Sequence, residues 1–458
     1  MVFSSSIFLF AFLPVVLFLY YVLFRKSIQL KNICLLIASL FFYAWGEPVV
    51  VLLMILSILV NYIFGLFINS KSKKLILCLS IIFNLSFLFI FKYLDFTTGL
   101  LNDIFSLSLP KANIALPIGI SFYTFQIMSY VIDVYRKDAK PQKNIIKLAL
   151  YISLFPQLIA GPIVRYTTIE DQLENRKESL SLFSIGVERF IIGFGKKLII
   201  ANNVGFLADK IYALNSGELT SAFLWLAAIA YTLQIYFDFS AYSDMAIGLG
   251  KMFGFNFDEN FNYPYISKSI TEFWRRWHIS LSSWFRDYLY IPLGGNRVGK
   301  VRHIFNLFVI WFCTGLWHGA NLTFIFWGLY FFVFLILEKY LRIDKKLSFI
   351  SHLYTILVVI VSWVFFRAEK ISVAFSYLKG MFLIDFASFC SADFIWYLKN
   401  FGVILILGVL LSMPIIPTIE KRIKNIPFIK EICLIFIFII AISFMFRSAY
   451  NPFIYFNF

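Results

Sequence analysis

Charge is scarce in this chain: Asp, Glu, Lys and Arg make up 14% of its 458 residues, against about 25% in an ordinary soluble domain. Histidine is scarcer, with four copies, and the five cysteines form no C-x-x-C pair. That spacing excludes a zinc knuckle or a dithiol redox site, and no second His or Cys stands one helical turn from any histidine, so no metal is expected. Acidic residues are outnumbered, leaving a formal net charge of +16. The basic residues sit in short loops beside apolar runs, where positive-inside topology places them, so nucleic acid is not an expected partner. What fills the chain instead is apolar: 60% of residues are hydrophobic, 57 are Phe, and the mean hydropathy is +0.82. No soluble core could hide that much apolar surface, so the solvent must be a lipid bilayer.

Apolar stretches recur near 7–24, 32–45, 48–69, 75–91, 114–134, 145–164, 182–206, 222–248, 304–337, 348–366, 400–418 and 431–447. They predict an all-α polytopic membrane protein, a single membrane domain over 1–458, with about eleven transmembrane helices plus re-entrant or interfacial ones. The first stretch reads as a retained span rather than a cleaved leader. Loop clusters such as Arg25–Lys26–Lys31, Lys71–Lys73–Lys74 and Lys421–Arg422–Lys424 mark the cytoplasmic side. Both termini then lie outside, with 447–458 as an extracellular tail.

The segment 267–295 is not a span. It mixes Glu272, Arg275, Arg276, Arg286 and Asp287 with Phe273, Trp274, Trp277, Trp284 and Phe285. That pattern predicts an amphipathic interfacial helix ending at Pro292 and Gly294–Gly295, with Glu272 and Arg276 paired at i, i+4. Arg275, Ser282 and Arg286 would share one stripe, and Trp274 would lie beside His278. Further back, Asp238 and Asp244 stand inside an apolar run and need partners, for which Arg275 and Arg276 are candidates. Bracing is the stronger reading for this acidic pair.

Two histidines attract little weight: His303, among Arg297, Lys300 and Arg302, reads as a solvated loop residue, and His352 follows a polar loop. His318 differs. Its apolar run, 304–337, covers roughly 34 residues, or about 51 Å of straight helix, against about 30 Å of hydrocarbon, so it must break or tilt. Gly315, Gly319 and Asn321 offer the break, and the small residues would leave room for a substrate. An ionisable side chain at that depth is a functional candidate, with a histidine hydrogen-bonded across helices as the alternative. His278 carries the same two readings.

Four stretches together resemble the membrane-bound O-acyltransferase family, in its alginate O-acetyltransferase-like bacterial polysaccharide branch. They are Tyr236-Phe237-Asp238-Phe239-Ser240-Ala241-Tyr242-Ser243-Asp244, Phe273-Trp274-Arg275-Arg276-Trp277-His278, Tyr290-Ile291-Pro292-Leu293-Gly294-Gly295-Asn296-Arg297 and Gly315-Leu316-Trp317-His318-Gly319-Ala320-Asn321. Phe155-Pro156-Gln157 and Gly161-Pro162-Ile163 also fit, and the likeness covers nearly the whole chain. It implies a ring of helices around a central tunnel, with His318 as catalytic base and His278 in support. Trp317, Asn321, Asp238, Asp244, Trp274, Arg275 and Arg276 are expected along the substrate path. The implied activity is transfer of an acyl group, an acetyl by expectation, from a cytoplasmic thioester to an extracellular or cell-wall polysaccharide. The donor would be acetyl-CoA, or a carrier-protein thioester, with no permanently bound cofactor. The basic stretch Arg275–Arg302 suits such an anionic donor. The implied partner is an extracytoplasmic SGNH or esterase-like acetyltransferase at the bacterial cell membrane. The ending Phe453-Ile454-Tyr455-Phe456-Asn457-Phe458 resembles the branch's C-terminus, making Tyr455 a candidate acyl relay beside the plainer reading of an aromatic anchor. D-alanyl transfer to teichoic acid is the alternative within the class, and a transporter or flippase the alternative outside it.

Overall fold

The computed structural model describes residues 1–214, 219–346, 350–382, 392–423, 426–447 and 450–454. Among them there is helix and turn but no strand. Seven helices are long and apolar enough to cross a bilayer: Val50–Phe67, Lys73–Phe105, Leu180–Tyr212, Ser221–Met252, Leu322–Leu341, Asp393–Leu411 and Ile429–Arg447. Four shorter apolar helices accompany them: Phe8–Leu23, Ile28–Ala44, Ser351–Arg367 and Ile371–Phe382. The polytopic all-α expectation therefore holds. The chain divides into two compact units, Met1–Phe190 with Tyr242–Asp258, and Ile191–Ala241 with Glu259–Phe458.

In the first unit the Val50–Phe67 helix is built inside out. Leu52, Leu56, Leu59, Ile63 and Leu66 are exposed along one stripe, while Ser57, Asn61 and Gly65 are buried on the other. Water would not tolerate that stripe; acyl chains cost it nothing, and the polar residues are free to glue helices together. Asn61 and Asn84 exchange amide hydrogen bonds at 2.8 and 3.1 Å, and the Ser80 hydroxyl donates to Asn61 Oδ1 at 3.1 Å. Gly186 and Gly248 let two backbones touch, since a Cβ on Gly186 would meet the Gly248 carbonyl oxygen at 2.6 Å. Arg189 closes this contact on Asp244 at 2.6 Å.

The second unit centres on an aromatic core drawn from Trp274, Trp277, Trp311, Trp327, Trp363, Phe331 and Phe366. The long apolar run breaks where its length demands. The helix Lys300–His318 ends at His318, and Leu322–Ile336 restarts after three residues, with Asn321 Oδ1 accepting from the Thr323 amide at 3.1 Å as its cap. The two helices fold back on each other through glycines. A Cβ on Gly328 would meet the Trp311 carbonyl oxygen at 2.3 Å, and one on Gly315 the Phe324 carbonyl oxygen at 2.5 Å.

The interfacial segment departs from expectation. It is not one amphipathic helix but two short ones, Ile270–Arg276 and Ile279–Phe285, parted at His278, whose φ is 43°. Backbone pairing forces the turn: the Asn262 amide donates to the Arg276 carbonyl at 2.9 Å and the Ile279 amide to the Asn260 carbonyl at 3.0 Å. The expected stripe through Arg275, Ser282 and Arg286 is therefore interrupted, and Trp274 does not lie over His278. Its indole instead packs on Trp311, Trp327 and Phe331 at 4.7, 5.7 and 5.0 Å. The Glu272–Arg276 pair does form, at 2.9 Å. Burial pushes the Glu272 carboxyl up, but the Lys268 amide and Arg276 outweigh it and hold the group below its usual range.

Candidate active site

His318 is the last residue of its helix, 3% exposed, and walled by aromatic rings. Trp317, Trp327 and Phe366 stand edge-on to the imidazole at 5.0, 4.9 and 5.4 Å. The helix break follows from Asn321 capping the next helix, and its Nδ2 also ties the turn to the Glu369 carbonyl at 2.9 Å. Contrary to the expectation from their small size, the glycines do not leave room for a substrate. Gly315 is filled by the Phe324 backbone, and a Cβ on Gly319 would strike the Phe324 ring at 2.3 Å. Their smallness is consumed by helix packing. The site keeps polar capacity elsewhere: the buried indole N–H groups of Trp274 and Trp327 and the Thr323 hydroxyl have no hydrogen-bond partner among the described residues. Each such group costs about 1–3 kcal/mol. Of these donors, the Trp327 indole belongs to a ring in contact with the His318 imidazole, and a donor held at that cost is suited to a ligand carrying acceptor oxygens.

The His278 ring also meets Trp317, 5.9 Å from that indole, with Phe239 edge-on at 4.6 Å. Both histidines thus contact one tryptophan. The helix Ile270–Arg276 that brings Trp274 to this wall is anchored by Glu338, which the sequence did not flag. Its carboxylate accepts from the Ile270 and Thr271 amides at 2.5 and 2.8 Å and from the Thr271 hydroxyl at 2.6 Å. A carboxylate at a helix start satisfies donors that the helix itself cannot. Arg275, by contrast, is exposed on that helix, away from the aromatic wall.

The partners expected for the two aspartates were wrong. Asp238 pairs with Lys197 at 2.5 Å, both nearly fully buried, and Asp244 pairs with Arg189. Neither Arg275 nor Arg276 is used, because each aspartate meets a cation from the Leu180–Tyr212 helix instead. The Lys197–Asp238 pair also holds the C-terminal tail by its backbone. Asp238 Oδ2 accepts from the Ile454 amide at 2.8 Å, and Lys197 donates to the Pro452 carbonyl. Asn202 adds a bond to the Tyr450 carbonyl at 3.2 Å, and the Tyr450 hydroxyl donates to Asp209, which Arg367 also engages. Tyr455 lies outside the described residues. His303 is likewise not a solvated loop residue. It is buried, with Tyr290 and Tyr340 hydroxyls at 2.9 and 2.7 Å from its two ring nitrogens.

Seven candidate membrane spans and no strand among the described residues define a polytopic all-α membrane protein. The sequence pattern of MBOAT, the membrane-bound O-acyltransferase family, matches residues 37–378, and the chain belongs to that family. It is 47% identical over 394 residues to a probable alginate O-acetylase of Pseudomonas syringae pv. tomato, covering 83% of this chain and 75% of that protein. A peptidoglycan O-acetyltransferase of Helicobacter pylori is 35% identical over 429 residues, covering 85% and 81%. A teichoic acid D-alanyltransferase of Bacillus subtilis is 32% identical over 235 residues, covering 48% and 58%. The chain is thus an O-acyltransferase, multi-pass in a bacterial membrane, of the alginate O-acetylase-like branch. The transporter alternative falls with that.

Proposed function

We propose that this enzyme transfers an acetyl group from a cytoplasmic thioester to an extracellular or cell-wall polysaccharide, with His318 as general base. The observation that carries the reading is the imidazole buried at a helix break inside an aromatic wall, one ring of which, Trp327, has an indole N–H without an acceptor among the described residues. His318 takes the proton of an acceptor hydroxyl as its oxygen attacks the thioester carbonyl. The new C–O bond forms, the C–S bond breaks, and the proton passes to the departing thiolate. The Trp327 indole N–H is the local donor suited to the carbonyl oxygen as it gains charge. His278 supports this centre. Coenzyme A is the donor the basic segment fits, with a carrier-protein thioester as the other source.

The relatives named for alginate and peptidoglycan O-acetylation support acetyl transfer to a polysaccharide. D-alanyl transfer is the weaker reading, since the D-alanyltransferase likeness covers 48% of the chain. The tail contacts support a relay: a buried ion pair gripping Pro452 and Ile454 holds the backbone just before Tyr455. In this reading Tyr455 receives the acetyl group and passes it to an extracytoplasmic esterase-like partner.

The test is ester analysis of polysaccharide from cells carrying single variants. His318→Ala, at normal membrane levels, is expected to remove O-acetyl esters without altering D-alanyl esters. Unchanged acetylation would sink the reading. Tyr455→Phe separates the routes: loss of acetylation supports the relay, and full acetylation means direct transfer from His318's site.

A further inference from the structure

His278 is held by a residue that no sequence signal marked. Asn260 is fully buried, in the non-helical stretch that follows the Ser221–Met252 helix. Its Oδ1 lies 3.1 Å from the Ser280 amide nitrogen, 2.9 Å from the Ser280 hydroxyl and 3.2 Å from His278 Nδ1.

These contacts fix a proton. A backbone N–H can only donate, so the amide atom facing Ser280 must be the oxygen rather than the NH2. A carbonyl oxygen can only accept, and the Ser280 hydroxyl, 3.5 Å from the same nitrogen, spends its one proton on that oxygen, so the imidazole nitrogen must carry hydrogen. In the neutral ring that leaves the lone pair on Nε2. The side chain is kept for its oxygen: Nδ2 is buried without a partner among the described residues, a cost a smaller residue would avoid. The same residue sustains the backbone. His278 sits in the left-handed region at φ 43°, which strains a residue other than glycine. The Asn260 carbonyl accepts the next amide, that of Ile279, at 3.0 Å.

We infer that Asn260 is a positioning residue, which locks the His278 imidazole as the Nδ1–H tautomer with a basic Nε2. An Nε2 lone pair can receive a hydrogen bond from a substrate hydroxyl; the opposite tautomer would present a donor there. This use of the tautomer rests on the supporting role proposed for His278, whereas the tautomer itself does not.

The experiment is nitrogen NMR of the full chain, labelled with ¹⁵N-histidine and held in detergent, at a pH where the His278 ring is neutral. His278→Gln identifies the His278 signals. The wild type is expected to give a protonated Nδ1 and an unprotonated Nε2, and Asn260→Leu to lose that pattern. Asn260→Asp, which keeps an acceptor oxygen, is expected to restore it. Acetyl transfer by membranes supplied with labelled acetyl-CoA should fall about 10–100-fold in Asn260→Leu, in kcat rather than KM, and recover in Asn260→Asp. A wild-type signal with the proton on Nε2 overturns the inference, even if Asn260→Leu fails to fold. So does Asn260→Leu that folds and keeps the wild-type pattern. If His278→Gln transfers acetyl at the wild-type rate, the role of His278 fails, while the NMR result still decides the tautomer.

Discussion

His303 and His318 stand at opposite ends of one helix, and both are buried. Their surroundings differ in kind. His303 has a tyrosine hydroxyl against each ring nitrogen. His318 has tryptophan and phenylalanine edges, and the indole N–H of Trp327, one of those rings, has no acceptor among the described residues. Burial alone therefore does not distinguish a histidine proposed as catalytic from a structural one. The difference lies in whether the surrounding polar groups are spent on each other or kept in reserve. Asp238 belongs with His303 in this respect: it sits at depth in an apolar helix, yet Lys197 and the Ile454 amide account for both oxygens.

The sharpest way to break the comparison is to exchange each histidine for glutamine. His318→Gln should lower acyl transfer by at least about 100-fold, the contribution of a general base, with an unchanged melting temperature in detergent. His303→Gln should do the reverse, keeping turnover within a few fold while melting earlier. Equal kinetic losses would erase the distinction. Next in size is the buried ion pair. Lys197→Met or Asp238→Leu alone should destabilise by about 3–5 kcal/mol, because each strands a buried charge, and the double variant should recover most of that. Protease sensitivity of the tail should rise in all three, since each single variant loses one of the contacts to Pro452 and Ile454 and the double variant loses both. Gly328→Ala should cost about 1–3 kcal/mol, measured by thermal unfolding, because its Cβ would meet backbone that cannot rotate away. The smallest effect is expected from Tyr290→Phe, about 1 kcal/mol, since it removes one of the two hydroxyls at His303 and leaves its packing.

Much of the fold was legible because the bilayer is an exacting solvent. It demands long apolar helices and loads the loops with positive charge, and both patterns are written residue by residue. The break at His318 was legible too, from a run too long for one crossing. The two-helix turn at His278 was not. Trp274, Arg275 and Arg276 carry a sound helical pattern, and nothing local announces that Asn260 and Asn262, sixteen or so residues earlier, pair with the turn and stop it. The partners of Asp238 and Asp244 were missed for the same reason: a lysine and an arginine on a separate helix are invisible to spacing within one.

The sequence by itself determined that this chain lives in a membrane, that it carries the acyltransferase motifs, and that His318 falls where the chain must break. Those are consequences of composition, length and local pattern. Only the tertiary structure decided what each polar residue faces. It gave Gly315 and Gly319 to helix packing rather than to substrate, assigned Lys197 and Asp238 to the tail, satisfied His303, and set the proton on His278. A side chain's partner is fixed by contacts between residues distant in sequence, and in a low-dielectric interior that partner decides whether a polar group braces the fold or is left available for chemistry.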